Sequence, residues 1–210
     1  MRISENRYIR DLRRISLARR LIEWEVRTHL ICDFTGLSDE AIRNLVRSYR
    51  GEQGGAIRHR GPPFRRLTAL LASPGMHGEA SALAGIGQVM GVIPREPLPP
   101  GRTWPLTLDC GEKLCHVFGT YRQAVPRGSV SMNHFIVLAQ GLAEGRDVEL
   151  GCCRECGGAL LQERMLHTPA ACPACRKGAP ERIESEGEPE AEPGARDATG
   201  AGEGYQQPLF

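Results

Sequence analysis

The sequence predicts a mainly α-helical protein that ends in a small metal-binding module. Three observations lead there. Apolar residues recur three or four apart through most of the first 145 positions, the period of one helical face. Two Cys-x-x-Cys pairs stand together at 153–175, and 25 glycines and 15 prolines punctuate the segments between the periodic runs. The predicted architecture is a helical body with a helix-turn-helix-like unit, a C-terminal four-cysteine zinc module and a disordered acidic tail. It divides into a basic helical region with the helix-turn-helix-like unit and a loop (1–66), a second helical region (67–148), the zinc module (149–180) and the tail (181–210).

The first helix is expected over 4–27, with Tyr8, Leu12, Ile15, Ala18, Ile22 and Val26 on one face turned to the core. Leu30, Ile31 and Phe34 continue the helical pattern until Gly36 breaks it. Ile42, Leu45, Val46 and Tyr49 then resume it behind Ser38, an N-cap, with Asp39 and Glu40 favourably placed at the positive end of the helix dipole. Residues 51–63 lose all periodicity and form a basic loop. A short helix at 64–72 and another around 77–91 follow, the latter weakened by Gly78, Gly85 and Gly87 at roughly 1 kcal/mol each. Five prolines make 94–105 a connector. Helical spacing returns from Cys110 to Val125, stopped by Pro126, and again over 131–144, closed by Gly145. Residues 181–210, rich in Glu, Pro, Gly and Ala and poor in apolar side chains, cannot bury a core.

Cys153-Arg-Glu-Cys156-Gly-Gly and Cys172-Pro-Ala-Cys175, with fifteen residues between the pairs, form the strongest motif. Two intervening residues let both thiolates of a pair meet one ion from a tight turn. Gly157 and Gly158 allow the positive φ such a turn needs, and two pairs complete a tetrahedral S₄ site. Zn²⁺ suits it, one per chain, and four thiolates leave no place for a reactive water, so the ion is structural. Ala159–Leu166, between the pairs, can supply a hairpin. Cys152 is a spare, and His167 is a loop residue, with replacement of one cysteine ligand as its alternative role. Cys32, Cys110 and Cys115 sit on apolar faces as small core residues.

Net charge is only +2, yet its distribution is uneven. Residues 1–70 carry 15 Arg against 8 acids, whereas 181–210 carry 2 basic residues against 8 acids. Residues 28–47 have helix-turn-helix spacing: Cys32, the turn at Gly36, then Ile42 and Leu45 holding the second helix to the first. That arrangement turns Ser38, Arg43, Asn44 and Arg47 outward, able to reach bases or phosphates. Arg50, Arg58, Arg60, Arg65 and Arg66 extend the basic context, and such charge supplies most nonspecific DNA affinity. An ordinary helical hairpin would show the same spacing. No run approaches a membrane span, and the charged N-terminal residues lack a secretion signal, so a cytoplasmic location with reduced cysteines is expected. No Walker A loop, HExxH or GxSxG motif occurs, and His29, His59, His77, His116, His134 and His167 are scattered without a ligand pattern. No catalytic role is expected.

Across roughly residues 12–180 the chain resembles the FlhC family of bacterial flagellar transcriptional regulators. The residues carrying the resemblance are Ala18-Arg-Arg-Leu21, Leu37-Ser38 through Ile42 and Leu45 to Tyr49-Arg-Gly51, and Gly61-Pro-Pro-Phe64. Further along they are Glu79-Ala-Ser81, the Tyr121-Arg122 helix ending at Pro126, and the two cysteine pairs. The resemblance implies a mostly helical subunit whose zinc ligands are Cys153, Cys156, Cys172 and Cys175. It also implies a hetero-oligomer with a helical FlhD-type partner that binds double-stranded promoter DNA and activates RNA polymerase at flagellar operons. The family's aromatic-rich middle gives way here to glycines and Trp104, and its basic residues after the last cysteine pair are reduced to Arg176, Lys177 and Arg182. The rival function is a zinc-containing protein–protein adaptor without DNA binding of its own.

Overall fold

In the computed structural model, residues 3–50, 66–165 and 170–178 are described. The chain is mainly helical, with a two-stranded sheet and a four-cysteine cluster near its C-terminal end. Helix α1 spans Ile3–Glu23, α2 Thr28–Thr35 and α3 Asp39–Arg50. A 3-10 turn at Leu67–Leu71 leads to α4, Pro74–Val89. Helices α5 (Leu108–Ala124) and α6 (Met132–Ala143) follow, then strands β1 (Val148–Cys152) and β2 (Ala159–Glu163) and the short helix α7, Pro173–Gly178.

Each boundary has a local cause. Ser73, Thr107 and Ser131 cap α4, α5 and α6 by accepting the backbone N–H three residues on, satisfying donors that have no partner inside the helix. Pro74, at the first helical position, starts α4 three residues before the expected 77. The first helix stops at Glu23, short of the expected 27, where Glu25 turns left-handed at φ 56°. Asn133 of α6 fixes this turn: its amide nitrogen donates to the Glu25 carbonyl (2.9 Å) and its side-chain oxygen accepts the Arg27 N–H (3.1 Å).

One hydrophobic core runs from Leu17 to Leu161. Phe118 of α5 is at its centre, with Trp24 edge-on at 5.0 Å, Tyr121 at 5.6 Å and Phe135 stacked at 6.3 Å. Helix α1 packs on α2 and α5, while α4 contacts α5, α6, both strands and α7. A single oxygen of Glu79 on α4 accepts from the Tyr121 hydroxyl (2.9 Å), the Ser129 amide (2.6 Å) and hydroxyl (2.8 Å), and the Val130 amide (3.2 Å). Burial works against ionisation, but these hydrogen bonds outweigh it and hold the Glu79 carboxyl below its ordinary range. Burial, reinforced by the same contact, pushes the Tyr121 hydroxyl up to about 12.

Three expectations need correction. Of the apolar face assigned to α1, Ala18, Ile22 and Val26 are buried, but Tyr8, Leu12 and Ile15 are 66%, 49% and 46% exposed. The core takes Leu17 and Leu21 instead, because α2 and α5 cover only the C-terminal half of the helix. The hairpin does not lie within 159–166 either. Strand β2 pairs backwards with β1, Val148 opposite Glu163 and Cys152 opposite Ala159, so the hairpin straddles the first cysteine pair. The short helix expected at 64–72 is a 3-10 turn where described. The loop at 51–63 and the tail at 181–210 lie outside the described residues, as do His59 and His167.

Candidate metal centre and arginine face

The hairpin presents the first cysteine pair at its tip. The Cys153 N–H donates to the Gly158 carbonyl (2.8 Å) and the Gly157 N–H to the Cys153 carbonyl (2.9 Å), closing a tight turn. Gly157 takes the left-handed conformation at φ 70°, whereas Gly158 has no positive φ, so only the first glycine is needed for backbone freedom. The second pair is built differently. Cys172 precedes α7, its carbonyl accepting the Arg176 N–H at 3.0 Å, and the first turn of that helix brings Cys175 round to the same side.

The four sulfurs all lie within 4.8 Å of one another, and those of Cys156 and Cys172 are 3.9 Å apart. A tetrahedral ion with metal–sulfur bonds of about 2.3 Å needs sulfurs separated by about 3.8 Å. The cluster therefore fits a single ion, and it is the one such group among the described residues. Backbone donors are already aimed at the sulfurs: the amides of Cys172 (3.2 Å) and Glu155 (3.4 Å) at Cys153 Sγ, and that of Cys175 (3.5 Å) at Cys172 Sγ. The amides of Cys156 and Cys172 pull the Cys153 thiol down to about 6. Hydrogen bonding to the Cys172 and Cys156 sulfurs pushes Cys175 up to about 12. A metal ion bound by these four sulfurs would displace the protons their thiols carry. Cys152 is exposed and stands outside the group. Cys115 is buried, with Cys32 and Cys110 half-buried; burial pushes the Cys110 and Cys115 thiols up to about 11, as inert packing residues require.

The sequence reading missed what seats this module. His77, Ser81 and Gly85 stand four apart on α4, forming one stripe against β2. His77 Nε2 donates to the Leu161 carbonyl at 2.6 Å, and the Leu161 N–H donates to Ser81 Oγ at 3.0 Å. Both backbone groups of Leu161 are thereby paired with one helix face. At Gly85 an added Cβ would lie 2.9 Å from the Ala159 Cβ; glycine is what lets helix and strand approach. The only signal in the sequence was the four-residue spacing, hidden because His77 read as one of several scattered histidines.

The other predicted site residues lie on the helix-turn-helix-like pair. Gly36 adopts φ 66° and donates to the Cys32 carbonyl at 2.7 Å, ending α2 as a left-handed cap. Ser38 Oγ accepts the Ala41 N–H (3.2 Å) at the start of α3. Ile42 is fully buried and Leu45 half-buried, while Ser38, Arg43, Asn44 and Arg47 are exposed. Arg43 is tied to Asp39 at 2.5 Å. Arg66, immediately before the 3-10 turn, is exposed. Arg58, Arg60 and Arg65 lie outside the described residues, as does the side chain of Arg50. Among the described residues, no helix is long and apolar enough to cross a membrane. No protein-family model and no curated protein sequence matches the chain.

Proposed function

We propose that this protein is a DNA-binding transcriptional activator subunit, working in a hetero-oligomer with an FlhD-type helical partner to switch on flagellar or related operons through RNA polymerase. The observation that carries the reading is the α2–Gly36–α3 pair, a short left-handed turn between two packed helices with an exposed polar and basic edge at Ser38, Arg43, Asn44 and Arg47. Helix pairs of this kind lay their second helix in the major groove, and guanidinium groups supply both phosphate and base contacts. Cys153, Cys156, Cys172 and Cys175 hold one Zn²⁺: pure thiolate coordination at tetrahedral spacing is a zinc preference. Closed by four sulfurs, that ion braces the C-terminal module and takes no part in chemistry.

The test is a mobility shift with promoter DNA, the chain co-expressed with its partner, across a salt series. Binding should weaken by about a thousandfold between roughly 50 and 200 mM salt if six or more phosphates are contacted, and R47A should reduce the salt slope. The adaptor reading is favoured by the exposed apolar residues of α1; it gains if the assembled complex shows no shift at low salt.

A further inference from the structure

The four cysteines of the metal centre are not equally shielded. Cys153 is 2% exposed and Cys172 and Cys175 are half-buried, whereas Cys156, at the hairpin tip, is exposed. Hydrogen bonding runs the same way. Cys153 Sγ accepts the amides of Cys172 and Glu155, and Cys172 Sγ accepts that of Cys175; such bonds stabilise a thiolate and blunt it as a nucleophile. Among the described residues, these amide bonds to sulfur reach Cys153 and Cys172 but not Cys156. The flank of Cys156 is open as well. An added Cβ at Gly158 would stand 3.4 Å from Cys156 Sγ, and one at Gly157 would meet nothing within 4 Å. Of the four ligands, Cys156 is the most open to a small dissolved oxidant.

Around a tetrahedral ion all six sulfur pairs stand at about the same separation, so freedom to move decides which sulfur answers Cys156. Cys153 is buried and held by two amides, and Cys175 lies inside α7, where the helical backbone limits its rotamers. Cys172 precedes that helix, and its Sγ stands 3.9 Å from Cys156 Sγ. We infer that Cys156 and Cys172 form an oxidation site for hydroperoxides, the bond between them expelling the metal ion. This rests on the reading of the four cysteines as ligands of one Zn²⁺. The Cys156 thiolate attacks a peroxide oxygen; the S–O bond forms as the O–O bond breaks, leaving a sulfenic acid and releasing hydroxide. The Cys172 thiolate then attacks Cys156 Sγ, and the S–S bond forms as a second hydroxide departs. Two solvent protons turn both hydroxides into water, and the two electrons lost by the sulfurs are those gained by the peroxide. Only Cys153 and Cys175 remain as ligands, too few for a closed site. A bond within either pair would close only a tight turn. The Cys156–Cys172 bond instead ties the hairpin tip to the start of α7, exchanging a metal brace for a covalent one that a thiol reductant reverses.

The experiment uses the full-length, zinc-loaded protein and equimolar hydrogen peroxide. A chromogenic chelator should record zinc released in step with peroxide consumed, and dithiothreitol should restore binding. Peptide mass spectrometry after alkylation should find Cys156 joined to Cys172, with Cys153 and Cys175 alkylated. G158V sets a branched side chain beside Cys156 Sγ without replacing a ligand, at a position whose φ is not positive. It should slow zinc release at least threefold. C152S removes the exposed cysteine outside the group and should change neither the rate nor the bond. A disulfide within either pair, one from Cys156 to Cys175 or one that includes Cys152 would overturn the assignment. So would release from zinc-loaded G158V at the parental rate; should G158V fail to hold zinc, the bond mapped in the parent decides. Protein that carries no zinc before peroxide is added would remove the zinc reading and this site together. Zinc-loaded protein that keeps its ion through the peroxide treatment would remove the oxidation site alone.

Discussion

The helical body and the cysteine module hold themselves together by different physics. In the body, Phe118, Phe135, Trp24 and Tyr121 interlock in a core that extends through α1, α2, α4, α5 and α6. The module has two five-residue strands, one six-residue helix and four sulfurs gathered within 4.8 Å. So small a unit cannot bury enough apolar surface for independent stability, and a cross-link through its four gathered sulfurs would supply what burial does not. It lives partly on borrowed structure as well, since the body supplies His77, Ser81 and the bare backbone at Gly85 as a seat for β2. Where burial is scarce, the sequence concentrates ligands and hydrogen bonds.

The sharpest way to separate the two regions is to remove one ligand. C156S should abolish stoichiometric metal binding and remove metal-linked stabilisation of the order of 10 kcal/mol from the module. Hydrogen exchange should then lose protection in β1, β2 and α7 while α1, α5 and α6 keep theirs. Equal loss in both regions would mean that the body depends on the ion too. A smaller effect is expected at the seat. H77A leaves the buried Leu161 carbonyl without its donor and should cost about 1–3 kcal/mol. The metal should still bind, but β2 should exchange faster. Retained protection there would show that the sulfurs alone position the hairpin.

The smallest effect lies wholly in the body. Glu79 is held below its ordinary value of 4.5. The folded state therefore favours the carboxylate, and the stability it adds is complete above that value and lost as pH falls through the lowered one. E79Q should cost about 1 kcal/mol at neutral pH and flatten the stability profile below pH 4.5, leaving metal content unchanged. A variant as acid-sensitive as the parent would place the titration elsewhere.

Much of this was legible in the sequence, for identifiable reasons. Ser38 and Gly36 mark helix ends because capping is local chemistry, and the cysteine spacing reports a site because ligand geometry is local too. Periodicity told which side of α1 is apolar but not what covers it, so Tyr8, Leu12 and Ile15 read as core. Strand β1 was hidden because Val-Glu-Leu-Gly-Cys is short and pairs across the cysteine turn with a partner seven residues on. The seat on α4 was invisible, since the roles of His77 and Gly85 exist only through contact with residues about 80 positions away.

The central claim is a four-sulfur ion bracing one end of an arginine-bearing helical body. Absorption spectroscopy on the full-length protein loaded with cobalt tests it most directly. One ion per chain, with strong sulfur-to-cobalt charge transfer and the visible bands of a tetrahedral site, is the predicted result. Substoichiometric metal, or a spectrum of nitrogen and oxygen ligation, would contradict the account.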